Sequence, residues 1–155
     1  MKYVTISRSE YDYLLTHAKR ISFLEHYKPT IHSDGPQGIY EMVFGENGLI
    51  DTVRYGNLTD CIDGAIQDIR EMQQAFWIYE ESEIYAGRTI QEIVEEFFPE
   101  QEQKEILKNN LYGLVDLNQK FPVREDIASI AVERTIKELL DEIVVFPNVV
   151  LSCYS

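Results

Sequence analysis

Basic side chains are scarce in this sequence: fourteen Lys and Arg stand against twenty-seven Asp and Glu, a net charge of -13 at pH 7. The deficit is uneven, because residues 1–30 carry +2 and residues 31–155 carry -15. Direct binding to nucleic acid or to an anionic membrane needs clusters of Lys and Arg, and none is present. Long apolar runs are also missing. Runs such as IVVF at 143–146 and VVL at 149–151 fall far short of the ~20 residues that span a bilayer. The amino terminus MKYVTISRSEYDYLL has no apolar stretch ending in small residues, so it does not read as a signal peptide, and the cytoplasm is the expected compartment. Two cysteines, Cys61 and Cys153, are too few and too far apart for a zinc cluster and suit packed thiols in a reducing compartment. The eight glycines are scattered, with no phosphate-cradling loop, no Walker motif and no G-x-S-x-G elbow.

What is present is helical and strand patterning on the scale of one α+β domain over 1–155. KYVTI at 2–6 reads as a strand, and Ser7 with Glu10 forms a capping box that opens a helix. Along that helix Tyr11, Leu14, Leu15, Ala18 and Ile21 follow helical spacing, and Pro29 ends it. Asn47-Gly48 is a hairpin signal; centring the turn there pairs Glu41 with Arg54, Met42 with Val53 and Tyr40 with Tyr55. Thr59 is the expected cap of a helix with the stripe Ile62, Ala65, Ile66, Ile69, Met72 and Phe76. Thr89 with Glu92 opens a short helix burying Ile90, Ile93, Val94, Phe97 and Phe98, and Pro99 suits the first position of the next. From Pro122 the sequence PVREDIASIAVERTIKELLDEIV predicts a last long helix, laced by Glu133 with Lys137 and Lys137 with Asp141, before a tail that suits a strand. The expected fold is a small antiparallel sheet, built from a hairpin at about 39–55 and the N-terminal strand, packed against about five helices.

Chemistry-bearing residues do not assemble into a motif. His17, His26 and His32 lie close in sequence, but His17 and His26 stand more than two helical turns apart, which opposes convergence on a metal ion. Cys61 lies between Asp60 and the nearby Asp63, which oppose thiolate formation, and reads as a packed thiol. Carboxylate pairs at helical spacing are numerous, including Asp60 with Asp63, Asp68 with Glu71, Glu92 with Glu95 and Glu96, and Glu138 with Asp141. In all-helical nucleotide pyrophosphatases such pairs on facing helices hold Mg²⁺; here the E-x-x-D at Glu138 stands far downstream of the glutamates. No catalytic residue, cofactor or metal is assigned.

Two acidic stretches stand apart. In FWIYEESEIY, 76–85, four successive apolar residues cover every side of a helical turn, leaving an aromatic for a second contact, and Glu80, Glu81 and Glu83 have no basic residue at helical spacing. In EIVEEFFPEQEQKE, 92–105, Glu92, Glu100, Glu102 and Glu105 have local helical roles, whereas Glu95 and Glu96 lie near a helix C-terminus, where the dipole disfavours them. Trp77, Tyr79, Glu80, Glu81, Glu83, Glu95 and Glu96 are therefore the expected partner-binding residues. The charge field suits a basic protein surface, such as one that binds nucleic acid. DNA-mimic inhibitors of nucleases, anti-CRISPR and anti-restriction proteins of phages and toxin-neutralising immunity proteins share this size and composition. A divalent-metal hydrolase of phosphorylated or nucleotide substrates is one alternative, and a structural homo-oligomer subunit the other.

Overall fold

A computed structural model describes residues 5, 7–34, 39–43, 51–55, 57–124 and 130–152, with side chains for all of these except 32–34, 39–43 and 51–55. The chain is α+β, and its contacts gather it into two compact units, Met1–Ile69 and Arg70–Ser155. Of the strand expected at 2–6 only Thr5 is described, and it is not in a strand; Cys153 lies outside the described residues.

The first unit begins with helix α1, Arg8–Tyr27, opened by the capping box that the sequence predicts. The Glu10 N–H donates to Ser7 Oγ at 3.2 Å, and the Ser7 N–H donates to Glu10 Oε2 at 2.8 Å. Lys28 closes the helix in the left-handed conformation, one residue ahead of Pro29. The spaced apolar residues of α1 are not its buried face: Tyr11, Leu14, Leu15 and Ile21 are all exposed, and Phe23 is the residue that is fully buried. His17 and His26 pack edge-on against Tyr13 and Tyr27.

Strands β1 (Thr30–Asp34), β2 (Ile39–Val43) and β3 (Asp51–Tyr55) form an antiparallel sheet in that order. The expected hairpin is present, but its register differs by one residue: Tyr40 pairs with Arg54, Glu41 with Val53 and Met42 with Thr52. Val43 pairs with Asp51 at the end of the ladder, and the turn expected at Asn47-Gly48 lies outside the described residues. Helix α2, Leu58–Glu71, follows. Its cap is Asn57 and not Thr59: Asn57 Oδ1 accepts the Asp60 N–H at 2.8 Å. The stripe Cys61, Ile62, Ala65, Ile66 and Ile69 is buried, and Arg20 of α1 grips Asp63 with two hydrogen bonds of 2.8 Å.

In the second unit the expected helix through Phe76 gives way to a β-hairpin. Strands β4 (Gln74–Ile78) and β5 (Glu80–Gly87) pair antiparallel, flanked by β6 (Tyr112–Val115) and β9 (Asn148–Leu151) in the order β6-β4-β5-β9. A run of Phe, Trp, Ile and Tyr favours a pleated surface whose two faces are both occupied, which a one-sided helix cannot supply. On one face, Phe76, Ile78, Tyr85 and Tyr112 meet helices α3 (Ile90–Phe97) and α4 (Glu100–Lys108) through Ile90, Ile93, Val94 and Ile106. Strand alternation turns Ala75, Trp77, Ile84 and Ala86 to the other face.

The long helix expected from Pro122 is also replaced. Strands β7 (Lys120–Val123) and β8 (Val132–Thr135) pair with each other, and helix α5 covers only Ile136–Leu140. The sequence hides a third Ser/Thr-x-x-Glu cap inside the apparent helix: Thr135 Oγ1 accepts the Glu138 N–H at 3.1 Å, which starts the helix there. Pro122 has no N–H and is tolerated in a two-stranded ribbon, where every strand is an edge. Glu133 is consequently in a strand, and Arg134 makes the local ion pairs, with Glu138 at 3.9 Å and Glu142 at 2.7 Å.

Candidate protein-binding surface

Residues 70–155 hold seventeen acidic and eight basic side chains, a net -9, so most of the negative charge resides in the second unit. The β4–β5 hairpin brings part of it to a defined place. Ile78 pairs with Glu80, leaving Tyr79 alone at the turn with φ 65°. A bulky residue in the left-handed region is strained and persists only where its surroundings impose it. Here the Tyr79 N–H donates to the Leu111 carbonyl at 2.8 Å, and its ring meets Phe98 edge-on at 5.9 Å. Tyr79 nevertheless remains 42% exposed. Partial desolvation raises its pKa, and the negative fields of Glu102 and Glu105 on α4 raise it further. The hairpin tip thus presents an aromatic ring that the negative fields of Glu102 and Glu105 reach, with exposed Glu80 next in the chain.

Trp77 lies on the opposite face of the sheet from Phe76 and Ile78. Its cross-strand neighbour on β6 is Gly113, and the indole occupies the space that a side chain there would fill: a Cβ on Gly113 would fall 2.5 Å from Nε1. Beyond Trp77 the β4–β5 register shifts, from Trp77 opposite Ile84 to Ile78 opposite Glu80, so Glu81, Ser82 and Glu83 are the extra residues of a bulge. Glu81 is exposed, whereas Glu83 is buried, with only 8% of its surface exposed. Trp77 and Glu81 line one cavity of about 190 Å³ together with Leu114, Val115, Gln119 and Phe121.

Glu95 and Glu96 are exposed on α3, and neither they nor Glu81 forms an ion pair among the described residues. Two other glutamates of that stretch, Glu92 and Glu100, have local roles. Glu92 is tied to the helix start, where its N–H donates to Thr89 Oγ1 and its Oε2 accepts from the Arg88 N–H at 2.8 Å; Glu100 pairs with Lys104 at 2.9 Å.

The expected surface residues therefore divide. Tyr79 and Glu80 form the hairpin tip, Trp77 and Glu81 line a cavity, Glu95 and Glu96 lie on α3, and Glu83 is buried. Sequence reading missed Glu102 and Glu105, whose three-residue spacing puts them on one helix face, and it missed Gln119 and Phe121 altogether. Among the described residues no three His, Cys, Asp or Glu side chains are grouped to hold a metal ion, and no helix is long and apolar enough to cross a membrane. No family model, no curated protein and no solved structure matches the chain.

Proposed function

We propose that this chain is a non-enzymatic acidic binding module, an inhibitor or accessory protein that occupies a basic surface of a partner protein, such as a surface that otherwise meets nucleic acid. The observation that carries the reading is Tyr79. A strained backbone holds an exposed tyrosine, flanked in the chain by exposed Glu80, where the negative fields of Glu102 and Glu105 on α4 still act on it. Aromatic anchors ringed by charge are what protein interfaces use for affinity and steering together. Glu81, Glu95 and Glu96 extend the negative field with carboxylates that the described residues leave unneutralised. Nuclease-directed DNA mimics, anti-CRISPR and anti-restriction proteins and immunity proteins are the functional company this reading suggests.

The test is affinity capture from the native host lysate, washed at low and at high salt and read by mass spectrometry. A basic protein retained at low salt and released at high salt supports the reading. Retention of no basic protein, or retention indifferent to salt, opposes it. The two alternatives have their own signatures: stabilisation by Mg²⁺ or Mn²⁺ for a hydrolase, and a concentration-dependent mass for a structural homo-oligomer.

A further inference from the structure

Helix α1 carries two sets of large side chains on opposite sides, and its own unit covers one of them. At about 100° per residue, Phe23, Tyr27 and the Arg20 that grips Asp63 lie on one side. Tyr11, Leu14, Leu15, Ala18 and Ile21 fall within about 120° of one another on the other side. All five are exposed, Leu14 and Ile21 by more than half of their surface. From Arg8 to Thr16, moreover, every residue of the helix is exposed. About two and a half turns of helix exposed on all sides are marginal in water, where helical stability comes chiefly from burying an apolar face.

Spacing and charge both point to a second copy of α1 as the cover. Positions 11, 14, 18 and 21 advance by alternate steps of three and four, the repeat with which helices pack along one another. Tyr11 and Ile21 each stand five residues from Thr16, and Leu14 and Ala18 each stand two. A two-fold axis at Thr16 therefore sets Tyr11 against the second copy's Ile21 and Leu14 against its Ala18, large against small, in a single antiparallel register. The charges agree with that register. Arg8 comes level, within one residue, with the second copy's Glu25, and Asp12 with its Lys19 and Arg20, opposite signs each time. A parallel pair would align every charge with its like. The helix as a whole is neutral, three basic side chains against three acidic, in a chain of net -13, so two copies meeting here avoid the repulsion that the rest of the chain carries.

We propose that the outward face of α1 is a self-association surface, on which two copies pair α1 antiparallel about a two-fold axis near Thr16. The inference goes beyond the binding reading and does not rest on it, since α1 belongs to the first unit and Tyr79 to the second.

Sedimentation equilibrium of the intact chain over a range of concentrations should show a mass that rises to that of two chains. Leu14→Glu and Ile21→Glu each set a carboxylate in the seam and should raise the dissociation constant at least about tenfold. Arg8→Glu and Glu25→Arg should each weaken pairing severalfold at low salt, and the two together should restore it. In dilute protein, where single chains prevail, the seam variants should melt as the wild type does, because these positions are exposed in one copy. A single-chain mass at every concentration, self-association unaltered by both seam variants, or a double charge variant as weak as the single ones overturns the proposal. Capture of a basic protein from the host lysate separates this failure from that of the binding reading. Salt-sensitive capture by a chain that never pairs keeps the binding reading and removes the dimer; seam-dependent pairing by a chain that captures no basic protein keeps the dimer and removes the binding reading.

Discussion

Trp77 and Gly113 face each other across β4 and β6, and the indole fills the volume that any other residue at 113 would claim, with Nε1 2.5 Å from the Cβ position. Gly113→Ala must therefore push the ring aside. The expected result is a shifted emission maximum for the single tryptophan and a loss of about 1–3 kcal/mol in chemical denaturation, the usual cost of overpacking. An unshifted spectrum in a folded variant would show that the ring does not depend on that glycine.

The Arg20–Asp63 pair gives a pH dependence of known sign. The two hydrogen bonds from Arg20 hold the Asp63 pKa below the ordinary carboxylate value, so in the folded state its charged form is favoured. Its contribution is complete above the unfolded value near 3.9 and is lost as pH falls through the lower folded value. Asp63→Asn should cost about 0.2–1 kcal/mol at pH 7, because the carboxylate is about half exposed. That difference should vanish in strong acid, and paired denaturation curves at pH 7 and below pH 3 check it.

Helix α1 carries its apolar seam outward. Leu14 and Ile21 are 56% and 55% exposed, while Phe23 is fully buried. Leu14→Ser and Ile21→Ser should each change stability by only about 0.5 kcal/mol, and Phe23→Ala should cost about 3–5 kcal/mol. Comparable losses for all three in denaturation would mean that the spaced residues, and not Phe23, anchor the helix.

Features decided within three or four residues were the legible ones. Ser7 with Glu10 and Thr89 with Glu92 act where their spacing placed them, because a cap is a contact between chain neighbours. The 39–55 hairpin was legible in kind, but its register was not, since the loop joining the strands decides which residues face each other. Phe76 to Tyr79 were misread as helix because a short apolar run has no decisive period. What makes them a strand is β6, more than thirty residues further along the chain. The segment 122–144 failed for the opposite reason. Its charges repeat at helical spacing, yet Pro122 lies in one strand, Val132–Thr135 form another, and helix begins only at the Thr135 cap. The candidate surface follows the same rule: Trp77, Tyr79 and Glu81 stood out as aromatics beside uncompensated charge, whereas Glu102, Glu105, Gln119 and Phe121 reach them only through the fold.

Tyr79 joins a strained backbone to an exposed ring, and a single substitution separates the two. Tyr79→Gly relieves the positive φ, at the loss of the ring's contact with Phe98, so stability should stay within about 1 kcal/mol of the wild type. If the ring serves a partner, capture of the basic protein should fall severalfold in Tyr79→Gly, and fall again when Glu80, Glu102 and Glu105 are changed to Gln. The measurement that bears most directly on this account is therefore salt-dependent capture by that series, each member shown to melt with the wild type. Capture that declines stepwise and loses its salt sensitivity is the predicted result, and undiminished capture by the full variant would contradict it.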